Sequence, residues 1–164
     1  MQTAHAIAIA TLMLAAPLPA VAQSMGQMPV NQAACTAPAA LPPALSGWTV
    51  KADLASATDA AGLDKAALAP GKAANVGLHH TREITFVTQP EKPGGSVAYG
   101  GMLSLAIAQA GTYQVSLGAG PWIDVLKDGA AVTSGVHGPG PACSGIRKTV
   151  QFPLQPGRYV IQIS

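Results

Sequence analysis

Apolar and polar positions alternate most regularly between Ala110 and Gly129, AGTYQVSLGAGPWIDVLKDG. Tyr113, Val115 and Leu117 alternate with Gln114 and Ser116, the period-2 signature of a strand with one buried face. After the turn Gly118-Ala119-Gly120-Pro121, the run Trp122 to Lys127 predicts a second strand meeting the first. Asp128-Gly129 supplies the positive φ angles of a tight hairpin, and Ala130 to Thr133 starts back.

The same period recurs on both sides of this stretch. Ser96 to Ala108 alternates through Leu103, Leu105 and Ile107, and Gly100-Gly101 predicts a bulge or bend within it. Lys148 to Leu154 puts Val150, Phe152 and Leu154 on one face, and Gly157 to Ser164 does the same with Tyr159, Ile161 and Ile163. Gln155-Pro156-Gly157 between them suits a turn, so these two runs read as a final strand pair. Gly47 to Lys51 reads as a first strand, and Ala74 to Thr88 as one long strand or two strands bent at His79-His80. Ser56 to Leu68 admits a short helix, N-capped by Ser56 or Thr58 and interrupted by Gly62. The glycines and prolines of Ser134 to Gly145 predict an unpaired loop, and because it carries His137 and Cys143 it is the loop to which function is first assigned.

Gly111-Thr112-Tyr113 and Gly157-Arg158-Tyr159 each place Gly-x-Tyr before an alternating strand. The strands preceding them differ in phase by one residue, which implies a shared local solution rather than a duplicated domain. Roughly eight short strands without a strong long helix predict an all-β fold, a single antiparallel β-sandwich or jelly roll over residues 47–164.

Upstream of residue 47 the period is lost. Ala4 to Ala16 is an apolar run too short to span a bilayer, and the small-residue pattern Ala20-Val21-Ala22 follows it. Residues 1–22 therefore read as a secretory signal peptide, although His5 stands where Lys or Arg is usual. Residues 23–46, rich in Ala, Pro, Gln and Met, read as an extended arm. No later apolar run reaches membrane-spanning length. Export would place the chain in the periplasm or outside the cell, where Cys35 and Cys143 favour one disulfide. Charge removes one class of partner: the net charge is +2 with 10 % charged residues, and the cations are scattered except for Arg147-Lys148. Nucleic-acid binding calls for a clustered basic face.

From Leu103 to Ile163 the order is a strand, an Ala-Gly-x-Tyr strand, an apolar-Asp-apolar strand, an Asp-Gly turn, a loop, a strand and a Pro-Gly-x-Tyr strand. This order resembles the bacterial pre-peptidase C-terminal type of β-sandwich, modules that accompany secreted hydrolases and are similar to carbohydrate-binding jelly rolls. Ile123-Asp124-Val125 stands where that family usually has an Asp-x-Asp strand, so the resemblance carries no calcium role here. WIDVLKDG, HGPGPACSGIRK and PGRYVIQIS are also similar to small exported bacterial proteins labelled homogentisate 1,2-dioxygenase. That second resemblance implies non-haem iron held by two His and one Glu, but the His-x-His spacing of a cupin is missing.

Chemistry has few candidates. His79, His80, Glu83 and His137 contain the two-histidine, one-carboxylate set that suits iron or zinc. On a straight strand His79 and Glu83 would lie about 13 Å apart, so ligation needs a bend at His79-His80 and His137 arriving from its loop. Ser134, Ser144, His137 and Asp124 include the residue types of a hydrolytic triad without a Gly-x-Ser-x-Gly elbow. Trp48, Trp122, Tyr99, Tyr113 and Tyr159 form a sugar-stacking platform if two or more share an exposed face. Otherwise the tyrosines are core residues with bonded hydroxyls, and at least one tryptophan centres the sandwich. Asp124 shares the parity of Trp122 inside an apolar strand, and is either exposed or buried with a partner such as Arg147. The reading that follows is an exported, non-enzymatic binding or structural module of the bacterial envelope. Its partner is a glycan or a protein, it needs no cofactor, and Trp48, Trp122 and Asp124 are its candidate ligand contacts. The alternative is a metal-dependent enzyme of dioxygenase type using iron or zinc at His79, His80, Glu83 and His137.

Overall fold

The alternating runs become strands, and a computed structural model places them. It describes Cys35, Ala37 and residues 39–164 apart from Ser96; residues 1–22, expected to be a signal peptide, and residues 23–34 of the expected arm lie outside the described residues. The strands are β1 (Lys51–Ala55), β2 (Ala67–Leu68), β3 (Ala73–Gly77), β4 (His79–His80), β5 (Tyr99–Ile107), β6 (Gly111–Leu117), β7 (Ile123–Lys127), β8 (Ala130–Ala131), β9 (His137–Gly138), β10 (Lys148–Leu154) and β11 (Gly157–Ile163). The chain is all-β, with short 3-10 turns at Pro43–Thr49, Ala60–Lys65 and Thr81–Glu83. Among the described residues no helix is long and apolar enough to cross a membrane.

The pairing differs from sequence order. The larger sheet runs β2-β5-β11-β7-β8 with β4 also on β5, a second runs β6-β10-β9, and β1 pairs with β3 alone. Neighbours in sequence are therefore split: β6 pairs with β10 rather than β7, and β11 pairs with β5 and β7 rather than β10. The β5–β6 and β10–β11 connections carry the chain from one sheet to the other. Their inward side chains meet, since Leu103, Leu105, Ile107, Val125, Tyr159, Ile161 and Ile163 of the larger sheet join Val150, Phe152 and Leu154 of β10 in one buried cluster.

Gly-x-Tyr is the device that builds both crossings. Tyr113 Oη donates to the carbonyl of Gln109 at 2.9 Å, and Tyr159 Oη donates to that of Gln155 at 2.8 Å. Each bond reaches four residues back and clamps the corner before its strand, as in the tyrosine corner of β-sandwich domains. Tyr159 also accepts from Gln155 N at 3.0 Å and is buried, whereas Tyr113 is half-buried and makes only the bond to Gln109 among the described residues. Tyr159→Phe is therefore expected to cost about 1–3 kcal/mol, because two backbone groups lose their partner. Tyr113→Phe, whose freed carbonyl can turn to water, should cost under about 1 kcal/mol, and urea titrations of the two variants measure the difference.

Several expectations are corrected. Pro43–Thr49 is a 3-10 turn and the first strand begins at Lys51, since Pro43 at the start favours a helical turn. The helix expected within Ser56–Leu68 is reduced to Ala60–Lys65, and its cap is Asp59, which accepts from Gly62 N at 2.9 Å. The 74–88 run stops at His80 and turns at Thr81–Glu83, leaving Ile84–Thr88 without a strand. Two pairings are parallel, β1 with β3 and β2 with β5, so the fold is not wholly antiparallel. Gly100-Gly101 makes no bulge, because β5 and β11 keep one register from Ile107↔Gly157 to Gly101↔Ile163. The two glycines serve close packing instead: a Cβ on Gly100 would strike the Ile163 carbonyl and one on Gly101 the Ser56 side chain. The 134–145 loop is not wholly unpaired, since β9 pairs with β10. Neither tryptophan lies in the core, where Phe152 and Met102 are the largest fully buried side chains.

The second face of the larger sheet is also covered. Ser104 Oγ donates to the Leu63 carbonyl at 2.8 Å. Gln162, 1 % exposed, pairs with Thr88 as a strand would, its Oε1 accepting from Thr88 N at 3.2 Å and its Nε2 donating to Thr88 O at 2.9 Å. A buried amide is tolerable only when bonded this way, and the bonds fix the segment leading to Glu91 and Lys92. The disulfide Cys35–Cys143 is present, with Cα atoms 5.4 Å apart.

Candidate functional site

β7 and the residue before it set out a groove with an aromatic wall. Trp122 is held in the sheet by reciprocal backbone bonds with Ser164, 2.9 and 3.0 Å. Its indole Nε1 donates to Asp124 Oδ1 at 3.0 Å, as residues two apart on a strand point to the same side. Asp124 Oδ2 accepts from Glu91 N at 3.3 Å. Asp124 is thus half-buried, aims the indole and holds the 88–92 segment; Arg147, exposed elsewhere, is not its partner. Both lysines nearby lean on the ring, with Lys92 Nζ 4.3 Å and Lys148 Nζ 5.1 Å from its centroid. Lys148 Nζ also donates to the Pro121 carbonyl at 2.7 Å.

A groove of about 240 Å³ runs from Trp122, Asp124 and Glu91 to Thr133 and Ser134, with Phe152 at its base. The ion pairs among the described residues are Arg82–Glu83 and Arg158–Asp64, so neither Lys92 nor Lys148 is neutralised by a paired carboxylate. The result is a small polar-rimmed depression with one aromatic wall and the carboxylates of Glu91 and Asp124 in its lining. The two ammonium groups lie against the Trp122 ring outside that lining. A wider depression of about 460 Å³ lies over β1 and β3, but it has no aromatic wall, and its polar side chains Asp53 and Asn75 already bond each other at 3.1 Å.

Trp48 stands apart from this groove. Its Nε1 donates to the Ser144 carbonyl at 2.9 Å, Lys51 Nζ lies 4.4 Å from its ring, and its edge faces Gly118. It braces the loop beside Cys143 and shares no platform with Trp122. Tyr99 stacks on His80, ring centroids 4.3 Å apart, while Tyr113 and Tyr159 serve the two corners.

The candidate metal ligands do not converge. Among the described residues no three His, Cys, Asp or Glu side chains come together in a way that could hold an ion. His79 and His80 pair with Gly100 and Tyr99 on β5, Glu83 is exposed on the next turn, and His137 sits on β9 in the other sheet. His79 Nε2 donates to the Ser56 carbonyl at 3.1 Å, and His80 Nε2 lies 3.3 Å from Tyr99 Oη. The bend expected at His79-His80 is absent: those residues are strand, and the chain turns at Thr81–Glu83, where Glu83 is left exposed. Ser144, considered for a triad, donates to the Pro141 carbonyl at 2.6 Å and accepts from Ile146 N at 3.0 Å, which makes it a loop brace.

Lys92, Lys148 and Gln162 were not legible as site residues. Lys148 stands out in the sequence only as half of the Arg147-Lys148 pair, and neither Lys92 nor Gln162 stands in a motif that marks it. No protein-family model matches this chain, and no curated protein or solved structure matches it.

Proposed function

We propose that this chain is an exported, non-enzymatic β-sandwich module that binds a glycan of the bacterial envelope at the Trp122 groove. The observation that carries the reading is the indole of Trp122, fixed by Asp124 and flanked by the unpaired ammonium groups of Lys92 and Lys148. An aromatic wall beside hydroxyl and carboxylate acceptors offers a sugar an apolar face and a polar edge together. At about 240 Å³ the groove is below the range of roughly 300–1,000 Å³ for sites that enclose a small molecule, which favours one unit of a polymer. The groove is lined by the carboxylates of Glu91 and Asp124, and the two cations lie beside the ring, so a sugar that offers hydroxyl donors to the first and a carboxylate to the second suits the site. The disulfide fits an oxidising compartment, and the resemblance to pre-peptidase C-terminal modules points the same way.

Titration of the purified chain with carboxylated and neutral envelope polysaccharides tests the reading. Binding should favour the carboxylated polymers, and Trp122→Ala or Lys92→Ala should weaken it by about tenfold, near 1.4 kcal/mol. Lys92 is exposed, so its removal should leave the unfolding midpoint unchanged. No binding across the panel, or binding indifferent to both substitutions, would refute the proposal.

A further inference from the structure

β6 ends the three-stranded sheet, and the backbone bonds it makes among the described residues go to β10 and to Arg147 just before it. The other edges are short, charged or covered. The outer edge of β5 carries β4, the Ala57 bridge to Met102 and β2. β8 and β9 are two residues each. β1 bears Lys51 and Asp53, and β3 lies against the Pro43–Thr49 turn. β6 alone among these is seven residues long, GTYQVSL, with no charge and no proline. Proteins blunt an edge with those residues because an open one is a template for pairing.

Burial along the sheet agrees. Val150, Phe152 and Leu154 on β10 are buried, while Tyr113, Val115 and Leu117, facing the same core from β6, are only partly so. The apolar row therefore continues to the edge of the sheet and stops uncovered.

We infer that β6 pairs antiparallel with β6 of a second copy, about a two-fold axis at Gln114, joining the two three-stranded sheets into one. The strand is complementary to itself in this register. Tyr113 comes opposite Val115 and Thr112 opposite Ser116, so apolar side chains continue onto apolar and polar onto polar, as an isologous contact requires. No like charges meet, although each chain carries a net +2.

Sedimentation of the full exported protein tests this directly. The expected result is a concentration-dependent dimer. Gln114→Cys should cross-link it under mild oxidation, because the two native cysteines are already bonded to each other, whereas Ala130→Cys on the exposed β8 should not. Gln114→Lys sets like charges opposite each other and should weaken the dimer about fivefold or more with the unfolding midpoint unchanged. A monomer at submillimolar concentration would overturn the inference. So would a monomer whose β6 amides resist hydrogen exchange, which would mean that the chain's own N-terminal residues occupy the edge. A dimer that Gln114→Cys fails to cross-link would overturn it as well, by placing the contact on another face.

Discussion

The doubly substituted chain Cys35→Ser, Cys143→Ser is expected to lose about 4–5 kcal/mol of stability, the chain-entropy value for a closed loop near 100 residues. The bond spans 108 positions, and that interval contains β1 through β9. Cutting it frees most of the unfolded chain, so the effect should fall on global unfolding and not on fraying at one end. Trp48 reports the native side, because its indole bonds to Ser144 next to Cys143. The two tryptophans give a fluorescence signal for urea titration. At about 3–5 °C per kcal/mol for a domain of this size, the melting temperature should drop by more than about 10 °C. A loss under about 1 kcal/mol would show that the bond merely tethers the arm.

Phe152→Ala is the second large effect. The ring is 2 % exposed, belongs to the cluster shared by both sheets and forms the base of the Trp122 groove. Truncation removes its transfer energy and leaves a cavity between two sheets held apart by their other side chains, costing about 3–5 kcal/mol. Against a total stability of about 5–15 kcal/mol, such a variant is marginal at best. Phe86→Ala is the control, since Phe86 is half-buried at the margin of the cluster and should cost about 1–2 kcal/mol. Equal losses at the two positions, read by urea unfolding, would contradict a core centred on Phe152.

Local features were legible in the residues. Asp128-Gly129 forms the expected two-residue hairpin, with φ of 52° and 79° and Lys127 opposite Ala130. This holds because left-handed backbone at two successive positions is a demand that few residue pairs meet. The alternation of Leu103, Leu105 and Ile107, and of Tyr159, Ile161 and Ile163, marks the core face correctly. The cysteine pair was also legible, and the repeated Gly-x-Tyr proved to be one local solution used twice.

The candidate site was legible only in part. Trp122 and Asp124 do meet in one groove, as their shared parity on a strand requires. Glu91, Lys92 and Lys148 come to them through the Gln162–Thr88 pairing and the approach of β10, which no spacing along the chain encodes. His79, His80, Glu83 and His137 made a chemically sensible set by composition, yet the two adjacent histidines lie on β4, Glu83 on the turn that follows it and His137 on β9 in another sheet.

Residue order alone determined which segments extend, which face of each goes inward and where the tight turns fall, because those depend on side-chain period and on backbone angles within a few positions. Which strands pair, which polar side chains are buried and which cations reach Trp122 were decided only in the tertiary structure. A strand's alternation specifies a face but not a neighbour, and here the chain changes sheets at each tyrosine corner.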